Sequence, residues 1–84
     1  MIDPIKELKE WVDNQHTELA DWAADAEAYT EQYKAGDLAQ DEYVELMEDL
    51  KRSQKISEAA DALAIRSRAV ESLDNIMKFV GAVL

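Results

Sequence analysis

Apolar and small residues recur along the first 33 positions at alternating steps of three and four. Ile5, Leu8, Val12, Leu19, Trp22, Ala26, Tyr29 and Tyr33 form one helix face over four heptads, interrupted at Gln15. The spacing predicts a helix over 4–34. Asp3 is placed to cap free backbone N–H groups at its start, Pro4 fits the first helical position, and Glu7 puts negative charge near the positive end of the helix dipole. Ala20, Ala23, Ala24 and Ala28 add helix propensity and thin the helix where a neighbour approaches. At 1.5 Å per residue this helix is a rod of about 45 Å, and a rod so narrow needs something lying along it.

The next element begins after a corner. Gly36 can take the left-handed conformation that closes a helix, Lys34 suits the last turn, and Gln40, Asp41 and Glu42 open a new helix with acids at its positive end. A turn over 35–39 and a helix over 40–52 follow. This Gly-Asp-Leu corner, its acidic first turn and the apolar Tyr43, Leu46, Met47 and Leu50 resemble the small helical hairpins of short C-terminal domains in bacterial proteins, over fewer than 20 residues. Ala39 stands where their usual hydroxyl cap would be, and the resemblance implies a hairpin and no activity.

Beyond residue 50 the pattern changes phase. On one continuous helix Tyr43, Leu46, Met47 and Leu50 would face one side, while Ile56, Ala59, Leu63, Val70 and Met77 would face roughly the other. Either a break re-aims the second stripe or one long helix buries opposite faces at its two ends. Lys51, Arg52 and Lys55 suit a helix end and Ser53 a new cap, which favours a break near 53 and a last helix over 54–80. Its seam is Ile56, Ala59, Leu63, Arg66, Val70, Leu73, Met77, Val80 and Leu84, widened by Ala62, Ile65, Ala69 and Ile76, so it wants neighbours on two sides. Arg66 falls inside that surface and needs a carboxylate or a gap between chains. The fold class expected is all-α: one domain over 1–84, an antiparallel helical hairpin or three-helix domain with coiled-coil-like packing, completing a bundle by oligomerisation. Leu8, Val12, Leu19, Trp22, Tyr29, Ile56, Leu63, Val70 and Met77 are the expected self-association seam.

Composition sharpens this picture mainly through charge. The chain has 84 residues and a formal charge of −10. Residues 1–50 carry 15 acids and three bases, residues 51–84 four acids and six bases, so one half can attract the other within a chain or between copies. So short a chain buries a small fraction of its surface, which makes partner chains a ready way to complete a core. The absence of Cys excludes disulfides and thiolate metal sites. The longest apolar run, 79–84, is too short for a bilayer, and no basic segment precedes an apolar one at the start, so a cytoplasmic protein without membrane contact is expected.

Candidate chemistry is sparse. Asp13 and His16, three apart, reach one patch of the first helix, as in di-metal bundles, but His16 is the only histidine and a site would need two copies. A partly exposed helix histidine is the simpler reading, and no metal or other cofactor is expected. The window from Asp37 to Glu48 has acids at both ends like a calcium loop, yet Ala39, Tyr43 and Glu45 occupy ligand positions and the central glycine is missing. Ser53, Ser57, Ser67 and Ser72 have no histidine in their segment, and paired acids such as Glu27 with Glu31 or Glu45 with Asp49 are normal on a solvated acidic helix, so no catalytic residue is expected. Direct nucleic-acid binding is disfavoured, since Lys51, Arg52, Lys55, Arg66 and Arg68 are the only basic patch and no reader motif is present.

Two functions remain. In the first the chain is a non-enzymatic protein–protein interaction module, a small assembly, adaptor or regulatory accessory protein that forms homo-oligomers. Its partner-facing candidates are Trp11, one position off the seam, and the acids Glu18, Asp21 and Asp25, which suit a basic surface; the tail from Met77 to Leu84 either packs back or docks in another protein's groove. In the second the acids, with Asp13 and Glu31 in the column, imitate nucleic-acid phosphate and block a nucleic-acid-binding protein, as a phage-encoded inhibitor would.

Overall fold

Four helices pack side by side in a ring in the computed structural model, which describes residues 3–57 and 62–82. The first, α1, covers Pro4–Gln15; a 3-10 turn, Thr17–Leu19, leads into α2, Ala20–Lys34. After the corner come α3, Gln40–Lys51, the short α4, Gln54–Ser57, and α5, Ala62–Phe79. The principal contacts run α1 to α2, α2 to α3, α3 to α5 and α5 back to α1, with α4 lying on α5 and the 3-10 turn.

The predicted rod over 4–34 does not form. Its helix breaks at His16, whose backbone leaves the helical region at φ −143°, ψ 60°, and the largest extent of the whole molecule is 36 Å. Residues 13–17 are all polar, and Asp, Asn, His and Thr are indifferent helix formers, so local preference resists a break only weakly. Breaking there lets α2 return antiparallel to α1, and Lys9 reaches Glu27 across the pair at 3.1 Å. The gain is burial: Leu8, Val12, Leu19, Trp22 and Ala26 are all 2% exposed or less. One stripe expected to face another element thus closes on itself, and a four-helix core replaces the expected hairpin or three-helix arrangement.

Gly36 sits at φ +88° and closes α2 in a Schellman arrangement, with Asp37 N–H donating to the Gln32 carbonyl at 2.8 Å and Gly36 N–H to that of Tyr33 at 3.1 Å. At the start of α3, Ala39 N–H donates to Glu42 Oε1 at 3.1 Å. That is half of a capping box, because Ala39 has no side-chain oxygen to return the bond.

No glycine ends α3, yet it stops at Lys51. Its last carbonyls are taken from other parts of the fold: Trp22 Nε1 donates to the Leu50 oxygen at 2.9 Å and Arg66 Nη1 to the Lys51 oxygen at 3.2 Å. That contact sets the negative end of α3 against the Arg66 guanidinium. Over the expected last helix, residues 58–61, with Ala59 of the seam, lie outside the described residues, as do Val83 and Leu84. The face of α5 turned inward carries Ile65, Ala69, Leu73, Ile76 and Met77. Serving α1 and α3 together centres the buried arc on the expected flank, so the edge carrying Leu63 and Val70 points outward: Leu63 is 82% exposed and Val70 half-buried.

Candidate interaction surface

Of the nine residues expected in a self-association seam, Leu8, Val12, Leu19, Trp22, Ile56 and Met77 are buried within one chain. Side chains with no accessible surface can add nothing to a contact between folded copies, so this stripe is core. Tyr29 is half-buried against that core. Leu63 and Val70 are left facing outward.

Polar groups inside the core are bonded. Thr30 Oγ1 donates to the Ala26 carbonyl at 2.8 Å, which leaves the Tyr43 hydroxyl to donate to Thr30 at 2.8 Å. Tyr43 stacks on Tyr33 with ring centroids 4.6 Å apart. Burial raises the Tyr43 phenol above its ordinary pKa; the Thr30 hydroxyl, which can turn toward a phenolate, opposes this and Tyr33 adds to it. On the outside of the core, Lys51 joins Glu48 of its own helix at 2.9 Å to Asp74 of α5. Burial lowers the Lys51 ammonium, but hydrogen bonds and charge from Asp74 and Glu48 outweigh it and hold its pKa above the ordinary value.

The partner-facing candidates are scattered rather than gathered. Trp11 is half-buried, its ring 4.8 Å from that of His16 and 5.9 Å beneath the Arg68 guanidinium. His16 Nδ1 lies 3.4 Å from Glu18 Oε1, beyond the end of α1, so Asp13 and His16 do not share a helix face. Asp13 opens instead into a mixed cleft of about 260 Å³ between α1 and α2, with Lys6, Lys9, Glu10, Glu27 and Glu31. Among the described residues no cluster of three or more His, Asp and Glu is arranged to hold a metal ion. Asp21 and Asp25 are exposed on α2. Because α2 runs back along α1, Asp13, Glu18, Asp21, Asp25 and Glu31 form no single straight column. The window from Asp37 to Glu48 is a turn running into a helix, with Glu48 engaged by Lys51.

The tail packs back in part. Gly81, at φ +78°, closes α5 as Gly36 closes α2, with Ala82 N–H donating to the Met77 carbonyl at 2.9 Å. Gln40 Nε2 donates to the Ala82 carbonyl, and Met77 and Ala82 are buried.

The sequence reading missed the outer side of α3. Leu38 and Leu46, both half-buried, line a groove of about 220 Å³ whose charged residues are Glu42, Glu45 and Asp49. On the other side of Glu45 a wide open depression is lined by Gln40, Asp41, Val44, Glu45 and Ala82. Every charged residue lining either hollow is an acid. The signal was present in the width of the apolar arc: Tyr43, Met47 and Leu50 make one buried stripe, which leaves Val44 and Leu46 as surplus on its flanks.

Among the described residues no helix is long and apolar enough to cross a membrane. Comparison of the chain with protein families, with curated proteins and with solved structures finds no match.

Proposed function

We propose that the protein is a non-enzymatic protein–protein interaction module, a small assembly, adaptor or regulatory accessory protein of the cytoplasm that also associates with itself. The observation that carries this reading is Leu63, an aliphatic side chain 82% exposed on a molecule whose other long stripes are spent on its own core. The acidic groove beside Leu46 supports it, because apolar anchors ringed by one sign of charge select a partner of the opposite sign. Affinity capture from the native host tests it, with Leu63→Asp and Glu45→Lys proteins as controls. The expected result is a discrete protein retained by the natural chain and reduced at least about tenfold by one of the two substitutions, the loss of one buried Leu or of a charged contact being worth that much. Equal retention by all three proteins, or none, contradicts the reading.

A further inference from the structure

The outer face of α3 has a hollow on each side of Glu45. On one side Leu38 and Leu46 line the groove with Glu42 and Asp49; on the other Val44 and Ala82 line the depression with Asp41. Leu38, Val44 and Leu46 are half-buried, so each keeps apolar surface open to a neighbour. Glu42, Glu45 and Asp49 follow one another at steps of three and four residues, which sets their carboxylates along one side of the helix over about 10 Å. Asp49 is held by exposed Arg52, a surface contact that a partner can exchange, and Glu42 accepts from the Ala39 N–H through Oε1. Asp41 and Glu45 have no bonded side-chain partner among the described residues.

We propose that this face binds a basic amphipathic helix of another protein, its apolar residues in the Leu38–Leu46 groove and its Lys or Arg side chains on Glu42, Glu45 and Asp49. The inference rests on the interaction-module reading and names the chemistry of the partner at this surface. Charge selects that partner: every charged residue lining either hollow is acidic, and a chain of net charge −10 draws a cationic segment from a distance. A second copy is a poor source of such a segment. Lys9, Lys34, Lys51 and Arg52 face acids of their own chain, Arg68 lies over Trp11, and like net charge opposes the approach. Backbone chemistry selects a helix over an extended peptide. The described residues form no strand, so an extended segment finds no sheet edge for its N–H and C=O groups, whereas a helix brings those bonds with it. With 12 residues α3 spans about 18 Å, room for about three turns of a partner helix.

NMR titration of the isotope-labelled full chain with a synthetic Ala-rich peptide, carrying a heptad stripe of Leu flanked by Lys, tests the proposal. Amide shifts are expected to concentrate within residues 38–49, with a dissociation constant on the order of 10–100 μM at low salt that weakens as salt is added. Glu45→Lys, at an exposed position, should weaken binding about tenfold or more, and Leu46→Ala about threefold or more. Glu71→Lys makes the same charge change at an exposed position of α5 and should leave affinity within about twofold. Circular dichroism checks folding, and Glu45→Lys carries the test should Leu46→Ala fail to fold. Shifts spread over the whole acidic surface, or equal weakening by Glu45→Lys and Glu71→Lys, mean attraction by net charge alone and overturn the proposal. Equal affinity for the peptide with Gln in place of Lys, or with Pro breaking its helix, overturns it too. Shifts at 38–49 that arise on concentrating the chain alone make a second copy the occupant and also overturn it. A chain that ignores the peptide yet captures a host protein through Leu63 refutes this partner chemistry and leaves the interaction-module reading standing.

Discussion

Trp22 shows how much one residue can carry in a small core. Its ring is 2% exposed and its Nε1 donates to the Leu50 carbonyl near the end of α3, so it joins the α1–α2 pair to the α3 terminus. Trp22→Phe is expected to cost about 2–3 kcal/mol in urea unfolding, mostly as lost packing, since the Ser53 N–H still reaches that carbonyl at 3.2 Å. Tyr43 and Lys51 tie stability to alkaline pH. Both have folded-state pKa values above their ordinary ones. Their contribution is therefore fully present below about pH 10 and lost as pH rises through the folded values. Melting temperature should fall more steeply above about pH 10 in the natural chain than in a Tyr43→Phe, Lys51→Met double variant. The burial of Trp22 was legible from its place in the heptads; its hydrogen bond to Leu50 was not, because sequence separation hides a contact made through the third dimension.

Element boundaries follow backbone chemistry where the residue types are decisive and tertiary contacts where they are not. The corner at Gly36 was legible because few residues other than glycine tolerate φ near +88°, and Gly36→Ala is expected to cost about 1–2 kcal/mol in thermal unfolding. Added atoms would meet nothing within 4 Å, so that cost is conformational. Ala39 already has cap geometry, φ −71° and ψ 160°, without a cap side chain. Ala39→Ser should supply the missing acceptor and stabilise the protein by about 0.5–1 kcal/mol, read as a raised melting temperature. His16 carries no comparable signal. The heptads run straight through it, since Val12 and Leu19 are in register whether or not the helix bends, so periodicity alone extends a rod where folding back buries more.

For the whole molecule, a core enclosed by one chain means that folding and association are separate events. Melting temperature is expected to change by less than about 2 °C when protein concentration varies a hundredfold in the low micromolar range, whereas an obligate oligomer would lose stability on dilution. The all-helical class and the need for packed neighbours were legible in the stripes of α1, α2 and α5. Which chain supplies the neighbours was not, because a stripe records that burial is required and says nothing of whose surface provides it. The outer groove of α3 was least legible, since Leu38 and Leu46 look like core residues until α3 is seen to bury Tyr43, Met47 and Leu50 instead.

The reversal at His16 is what lets a single chain enclose its core, and a distance between spin labels tests it directly. The chain has no Cys, so Lys6→Cys and Glu31→Cys place labels at two sites without competing thiols. These residues line the same cleft between α1 and α2, and the labels are expected within about 25 Å of each other in protein diluted with unlabelled chain. A separation of about 38 Å, that of residues 25 apart on an unbroken helix, would contradict the account.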